Sequence, residues 1–135
     1  YVIGSGLFPS SKLETMMLLS KSAVGFFQSE PELKKIFAEF RKSHGGYSRG
    51  DLQAFVATPE GVCLVFGADE QYIWRRYFAN KDDAGTPIIK IFNESLQRGP
   101  GLVSFTYDNG IKAVAYIEEV SKNKDTFIVG SMYNL

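Results

Sequence analysis

One polar stretch of the chain combines cationic and aromatic side chains that could bind a small anion. Trp74, Arg75 and Tyr77 lie within four residues of one another. An arginine guanidinium can hold a carboxylate through two parallel hydrogen bonds, and aromatic rings can form the walls of such a site. The alternative is that Arg75 and the neighbouring Arg76 are solvated and that Trp74 is a core residue.

A second candidate group lies near the Asn109-Gly110 dipeptide, which is typical of a two-residue β-hairpin turn. Lys112 and Tyr116 share one face of the strand that follows the turn, because side chains alternate with a period of two. Tyr107 lies on the partner strand and could project nearby. If this face lines a pocket, Lys112 supplies a cation and Tyr116 a hydroxyl; otherwise Lys112 is a surface lysine beside a turn.

Neither catalysis, a metal site nor a cofactor is expected from this sequence. The chain has a single histidine, His44, and a single cysteine, Cys63. No second imidazole or thiol is present to complete a metal site, and an internal disulfide is excluded. Cys63 lies within an apolar run and is expected in the core. Non-covalent binding is therefore the favoured chemistry, and an enzyme working through Cys63 or the carboxylates is the least favoured class of function.

The composition indicates one globular domain of ordinary size. The chain has 135 residues, and its 15 basic and 15 acidic residues cancel. This balance gives no electrostatic reason for binding nucleic acid or an anionic membrane surface. No apolar run approaches the roughly 20 residues that a membrane-spanning helix needs.

Helical periodicity in the first third gives way to strand patterns from residue 51 onward. A long helix is predicted over Ser11–Gln28, and a second helix follows a capping box from Ser29 to Glu32. A third helix is predicted from Ile88 to about Gln97, capped by Thr86. Five strands are predicted: Leu52–Thr58, Val62–Ala68, Gly101–Asp108, Ile111–Val120 and Thr126–Tyr133.

The first two strands are apolar on both alternating faces, so both faces of the sheet must be covered. The long N-terminal helix can cover one face. The excursion Asp69–Gln97, inserted between the two hairpins, is placed to cover the other. The pattern therefore predicts an α+β fold with a five-stranded antiparallel sheet, and a small-molecule pocket beneath the excursion.

Short motifs in a particular order support a family resemblance. They are Phe55–Leu64, Gly67–Asp69, Lys81–Gly85, Gly101–Phe105, Tyr116–Val120 and Phe127–Tyr133. Their order and spacing resemble those of Cache domains, the PAS-like extracytoplasmic sensor domains, and most closely the single-Cache type. The resemblance covers nearly all of residues 9–134. It implies a PAS-like sheet with a long N-terminal helix on one face and a loop-helix excursion on the other.

The opening residues resemble the closing strand. Tyr1–Ser5 aligns without gaps with Phe127–Ser131. Residues 1–8 are therefore interpreted as the closing strand of a preceding Cache-like module in a tandem-Cache protein, and residues 9–135 as the sensor domain. The alternative is that residues 1–8 form an extra strand of this domain's own sheet.

Three departures from the family pattern bear on ligand binding. The family's usual lysine three residues before the tyrosine is replaced by Ala113, and Lys112 stands one residue earlier. Phe66 occupies the place of a histidine that is frequent in the family, and Ile73–Arg76 replaces the short loop motif that usually stands there. These changes suggest an altered ligand or the loss of ligand binding.

The resemblance implies a non-catalytic domain that senses or binds a small molecule, often a short carboxylate or amino acid, outside the cytoplasm. The parent protein is then a signal-transduction receptor or a secreted binding protein, in the periplasm or at the cell surface. Expected partners are a small organic ligand, a second copy through the N-terminal helix, and a membrane-anchored signalling partner. The alternative is a degenerate Cache module that binds no ligand and serves in dimerisation or domain spacing.

Overall fold

A computed structural model describes residues 10–42, 47–49, 52–66, 78 and 80–134. It contains three helices, α1 (Ser10–Ser29), α2 (Leu33–Phe40) and α3 (Ile88–Leu96). Its strands are β1 (Ser48–Arg49), β2 (Leu52–Ala57), β3 (Cys63–Phe66), β4 (Gly101–Thr106), β5 (Lys112–Lys122) and β6 (Asp125–Asn134). The predicted N-terminal segment, residues 1–8, lies outside the described residues.

The strands form one antiparallel sheet in the order β1-β2-β6-β5-β4, with β3 also paired to β2. The five predicted strands are confirmed as β2 to β6, and β1 adds two residues at the edge of β2. In the longest pairing, β5 and β6 run together from Ala113 opposite Asn134 to Lys122 opposite Asp125. The predicted α+β class and PAS-like arrangement are confirmed.

The N-terminal helix α1 covers one face of the sheet. Met16 and Leu19 pack against Leu52, Val114 and Tyr133 near the N-terminal half of the helix. Further along, Phe27 joins a cluster in which its ring lies 5.2 Å, centre to centre, from that of Phe127. This face of α1 is buried because its apolar residues recur with helical spacing.

Helix α3 covers the opposite face. Its residues Ile88, Ile89 and Phe92 are buried in a cluster with residues of five strands, β2 to β6. From these strands come Phe55, Ala57, Cys63, Val103, Phe105, Ala113, Ala115, Ile117, Ile128 and Met132. The two-sided apolar strands are thus explained by cover on both faces, and the predicted core position of Cys63 is confirmed.

Two of the predicted helix caps are wrong. Ser29 belongs to the last turn of α1, where its hydroxyl donates to the carbonyl of Phe26, and Glu32 is the N-cap residue of α2. Helix α3 begins at Ile88 as predicted, but its N-cap residue is Pro87 rather than Thr86. Thr86 instead belongs to the tight turn before the helix, where its amide donates to the carboxylate of Asp82.

Two buried serines join α1 to the sheet. Ser131 of β6 donates to the main-chain carbonyl of Met16 at 3.0 Å, and its oxygen also contacts the hydroxyl of Ser20. The hydroxyl of Ser20 also lies 3.5 Å from the main-chain carbonyl of Tyr116, a second acceptor within its reach. Both serines are fully buried, so each hydroxyl needs its partner.

We expect Ser131→Ala and Ser20→Ala each to lower the free energy of unfolding by about 1–2 kcal/mol, since each leaves a buried hydroxyl or carbonyl short of a partner. The double substitution removes both hydroxyls, and its loss of stability should be smaller than the sum of the two single losses by at least about 0.5 kcal/mol. Urea denaturation of the three variants measures this coupling. Strictly additive losses would show that the two hydroxyls do not interact.

Candidate functional site

The centre of the α3 face is filled by aromatic side chains. The ring of Phe55 lies 5.2 Å from that of Phe78 and 6.0 Å from that of Phe92, measured between centroids. Phe66, which stands where the resembled family often has a histidine, lies 6.2 Å from Phe55 in the same group. Stacked and tilted rings at these distances form a packed hydrophobic interior. This part of the face is structural core.

Tyr107 lies on the α3 face, as the predicted pocket requires. It follows β4 and packs against the edge of the α3 cluster, with its ring 5.2 Å from that of Phe105. Its main chain pairs with Asp82 of the excursion and donates to the carbonyl of Ile111 at 2.8 Å. Tyr107 therefore lies where the excursion meets the sheet.

Tyr116 and Lys112 lie on the other face. Tyr116 is buried with Met16 and Leu19 of α1, and Lys112 shares its face of β5 by strand alternation while remaining exposed. The prediction that Tyr107, Lys112 and Tyr116 line one pocket is therefore corrected, because the sheet separates Tyr107 from the other two. Period-two spacing establishes which residues share a face but not which helix covers it.

Trp74, Arg75 and Tyr77 lie outside the described residues. Their role in ligand binding stays a prediction, and so does that of Tyr107.

Gln53 is a polar residue of the α3 face that the sequence interpretation missed. It precedes Phe55 by two positions on β2, so the two side chains share a face, and Met132 lies directly opposite on β6. Its amide oxygen is buried and accepts no hydrogen bond from the residues that the structure describes. The signal available in the sequence was a glutamine at an inward-facing position of a strand that is otherwise apolar.

An open cavity of about 640 Å³ lies at the opposite end of the sheet from Gln53, between α2 and the turns that follow β2 and β5. Its apolar lining includes Leu33 and Phe37 of α2 together with Phe127 of β6. Charged residues at its rim are Glu60, Lys124 and Asp125. Its volume falls in the range of small-molecule sites. Of the predicted site residues that the structure describes, none lines this cavity.

Within the described ranges, no three histidine, cysteine, aspartate or glutamate side chains come together to hold a metal ion. In the same part of the chain, no helix has the length and apolar character needed to cross a bilayer.

Strand order, the α1 cover and the α3 cover together define the PAS-like class of α+β folds. The chain is similar in fold to a crystal structure of a methyl-accepting chemotaxis protein from Vibrio parahaemolyticus RIMD 2210633. The two share 14% sequence identity with a TM-score of 0.60, over 92% of this chain and 88% of that chain. No protein-family model and no curated protein sequence matches this chain. At this identity the likeness concerns the fold.

Proposed function

We propose that this chain is an extracytoplasmic sensor domain of the Cache type that binds a small molecule for a signal-transduction receptor or a secreted binding protein. The observation that carries the proposal is the fold likeness to a methyl-accepting chemotaxis protein over 92% of the chain. The motif order in the sequence points to the same kind of domain. Binding requires no covalent chemistry, in keeping with a chain that has one cysteine and one histidine.

The proposed ligand is a short carboxylate or an amino acid held between the sheet and the excursion of residues 69–97. A carboxylate that enters a partly dry site needs a cation or several N–H donors, because its desolvation is otherwise uncompensated. Arg75 is the proposed cation, and Tyr107 lies on the sheet face that the excursion meets. Lys112 and Tyr116 lie on the α1 face and are not part of this proposed pocket.

Signal transfer is proposed to run through α1 to a second copy and to a membrane-anchored partner. The side chain of Leu18 on the outer surface of α1 is 69% exposed and would lie within any contact that this surface makes with another protein. The main-chain and hydroxyl contacts of Ser20 and Ser131 link the same helix to the centre of the sheet. A shift of the sheet on ligand binding is thereby transmitted to α1.

A thermal-shift screen of short organic acids and amino acids tests the proposal. A ligand present at a hundred times its dissociation constant should stabilise the domain by about 2.7 kcal/mol, which is an easily measured rise in Tm. The ligand found in the screen is then titrated into the Arg75→Ala variant, whose affinity for it should be lower than that of wild type. The exposed Lys112→Ala on the other face is the matched control and should leave the titration unchanged.

Other outcomes separate the remaining candidates. A hit that is weakened by Lys124→Ala and not by Arg75→Ala would move the ligand to the cavity beside α2. A broad screen without any hit would contradict ligand binding and favour the spacer or dimerisation module. Sedimentation velocity would then compare the self-association of wild type with that of Leu18→Glu.

A further inference from the structure

The outer edge of β4 carries an inference about self-association. Strand β4 ends the sheet on one side, and its register with β5 is regular from Gly101 opposite Ile117 to Thr106 opposite Lys112. On the other side of the sheet, β1 has two residues, and β3 has four and a register shift against β2. Of the described strands at the two edges, β4 is therefore the longest and the most regular.

Alternate residues of β4 direct their main-chain groups away from β5. The amide of Tyr107, just after β4, donates to the carbonyl of Ile111, and antiparallel pairs exchange hydrogen bonds at every second residue. The odd-numbered residues of β4 therefore bond to β5, and the even-numbered ones face outward. In agreement with this, the outward carbonyl of Thr106 accepts a hydrogen bond from the amide of Asp83 at 2.9 Å, which closes that end of the edge.

Leu102 and Ser104 leave the rest of this edge open. In the described part of the chain, no hydrogen bond is made by the outward N–H and C=O groups of either residue. Both residues are exposed, and Leu102 is 46% exposed although it lies opposite Tyr116 on the face that α1 covers. Charged residues, prolines and bulges usually keep an edge strand from pairing, and β4 has none of them. The edge can therefore accept another strand.

A second copy of the chain fits this edge because β4 complements itself in an antiparallel arrangement. With a two-fold axis at Val103, Leu102 of one copy lies opposite Ser104 of the other, and the two residues can exchange main-chain hydrogen bonds. Arg98 and Asp108 are both exposed and are equally distant in sequence from Val103. The axis therefore brings Arg98 of each copy to the end of the edge at which Asp108 of the other copy lies, so that opposite charges meet at both ends.

We infer that two copies of this chain associate by antiparallel pairing of their β4 strands about Val103, which joins the two sheets into one. The inference goes beyond the proposed function, because no ligand takes part in the contact. The two-fold axis is perpendicular to the sheet, so α1 of both copies lies on the same face of the joined sheet. This contact is distinct from the proposed one through the outer surface of α1.

Amide hydrogen exchange measured by NMR at low and high protein concentration tests the pairing. The amides of Leu102 and Ser104 should exchange at least about tenfold more slowly when the protein associates, since they gain main-chain acceptors. The amides of Val103 and Phe105 bond to β5 and are the internal control, protected at both concentrations. Slow exchange of Leu102 and Ser104 in a monomer would mean that another segment of the chain covers the edge, and would overturn the inference.

Charge-reversal variants test the register. Arg98→Asp and Asp108→Arg should each raise the dissociation constant of the dimer by about fivefold or more in sedimentation velocity, because like charges then meet at both ends. The double variant restores opposite charges and should return this constant to within about threefold of wild type. A double variant as weak as the two single variants would show that Arg98 and Asp108 do not face each other, and pairing about Val103 would be wrong.

A charge placed on the edge itself separates the β4 contact from one through α1. Leu102→Lys should weaken self-association at least about tenfold and leave the Tm nearly unchanged, because the side chain is exposed in the monomer. Leu18→Lys on α1 is the matched control and should associate like wild type. If Leu18→Lys alone prevents association, the copies meet through α1 and the inference is wrong. A wild type that stays monomeric overturns it as well, whereas the ligand screen decides the proposed function separately.

Discussion

Replacing Phe55 with alanine is expected to lower the free energy of unfolding by about 3–5 kcal/mol. Phe55 is fully buried and contacts three other phenylalanine rings, those of Phe66, Phe78 and Phe92, at centroid distances of 5.2–6.2 Å. Its removal leaves a cavity at the point where β2, β3, α3 and the excursion meet. A loss of this size is a large fraction of the 5–15 kcal/mol that stabilises a typical domain.

Urea denaturation followed by circular dichroism measures the effect as a lower midpoint at an unchanged slope. Leu18→Ala is the matched control, because Leu18 is 69% exposed and its truncation should change stability by no more than about 0.5 kcal/mol. A loss below about 1 kcal/mol for Phe55→Ala would mean that the aromatic cluster collapses around the deleted ring and is not tightly packed.

Gly130→Ala should destabilise the domain by about 3 kcal/mol or more, since overpacking against main-chain atoms cannot be relieved by a side-chain rotation. A Cβ at Gly130 would overlap the carbonyl oxygen of Tyr116 and would lie only 3.1 Å from the Cα of Ile117. Gly130 pairs with Ile117 on β5 and with Phe55 on β2, so the distortion would spread through the central strands.

Gly25→Ala is the matched control for this substitution. Gly25 lies in α1, and a Cβ there has open space around it. Alanine is the better helix former, so this change should stabilise by about 0.5–1 kcal/mol. At about 4 °C per kcal/mol, the two variants should differ in Tm by well over 10 °C. A Gly130→Ala protein as stable as wild type would contradict the close approach of β5 and β6.

The element types and their order were predictable because they depend on neighbours a few residues apart. Helical spacing of Met16, Ala23 and Phe27 predicts α1, and the structure buries all three. The hairpin at Asn109-Gly110 is confirmed, with Gly110 at a φ of 89°, but its loop has three residues, 108–110, rather than two, because the amide of Tyr107 donates to the carbonyl of Ile111. Apolar residues on both faces of β2 predict cover on both sides of the sheet, and α1 and α3 provide it. The class of fold therefore follows from local patterns.

The assignment of side chains to a site depended on contacts between distant parts of the chain. Spacing by two correctly placed Lys112 and Tyr116 on one face, but the helix that covers this face is decided by packing against Met16 and Leu19, about a hundred residues earlier. Tyr107 belongs to the other face for the same reason. No local pattern tells which face of the strand α1 covers, because a strand rotated by half a turn has the same sequence periodicity.

The sequence by itself determined a domain with a long helix, a mostly antiparallel hairpin order and no evident catalytic group. Only the tertiary structure decided that Ser20 contacts Ser131, that Gly130 lies against the main chain of Tyr116, and that the buried amide oxygen of Gln53 has no donor among the described residues. The physical reason is that periodicity reflects interactions along one element. Hydrogen bonds and close approaches between elements depend on register, which is set when the whole core packs.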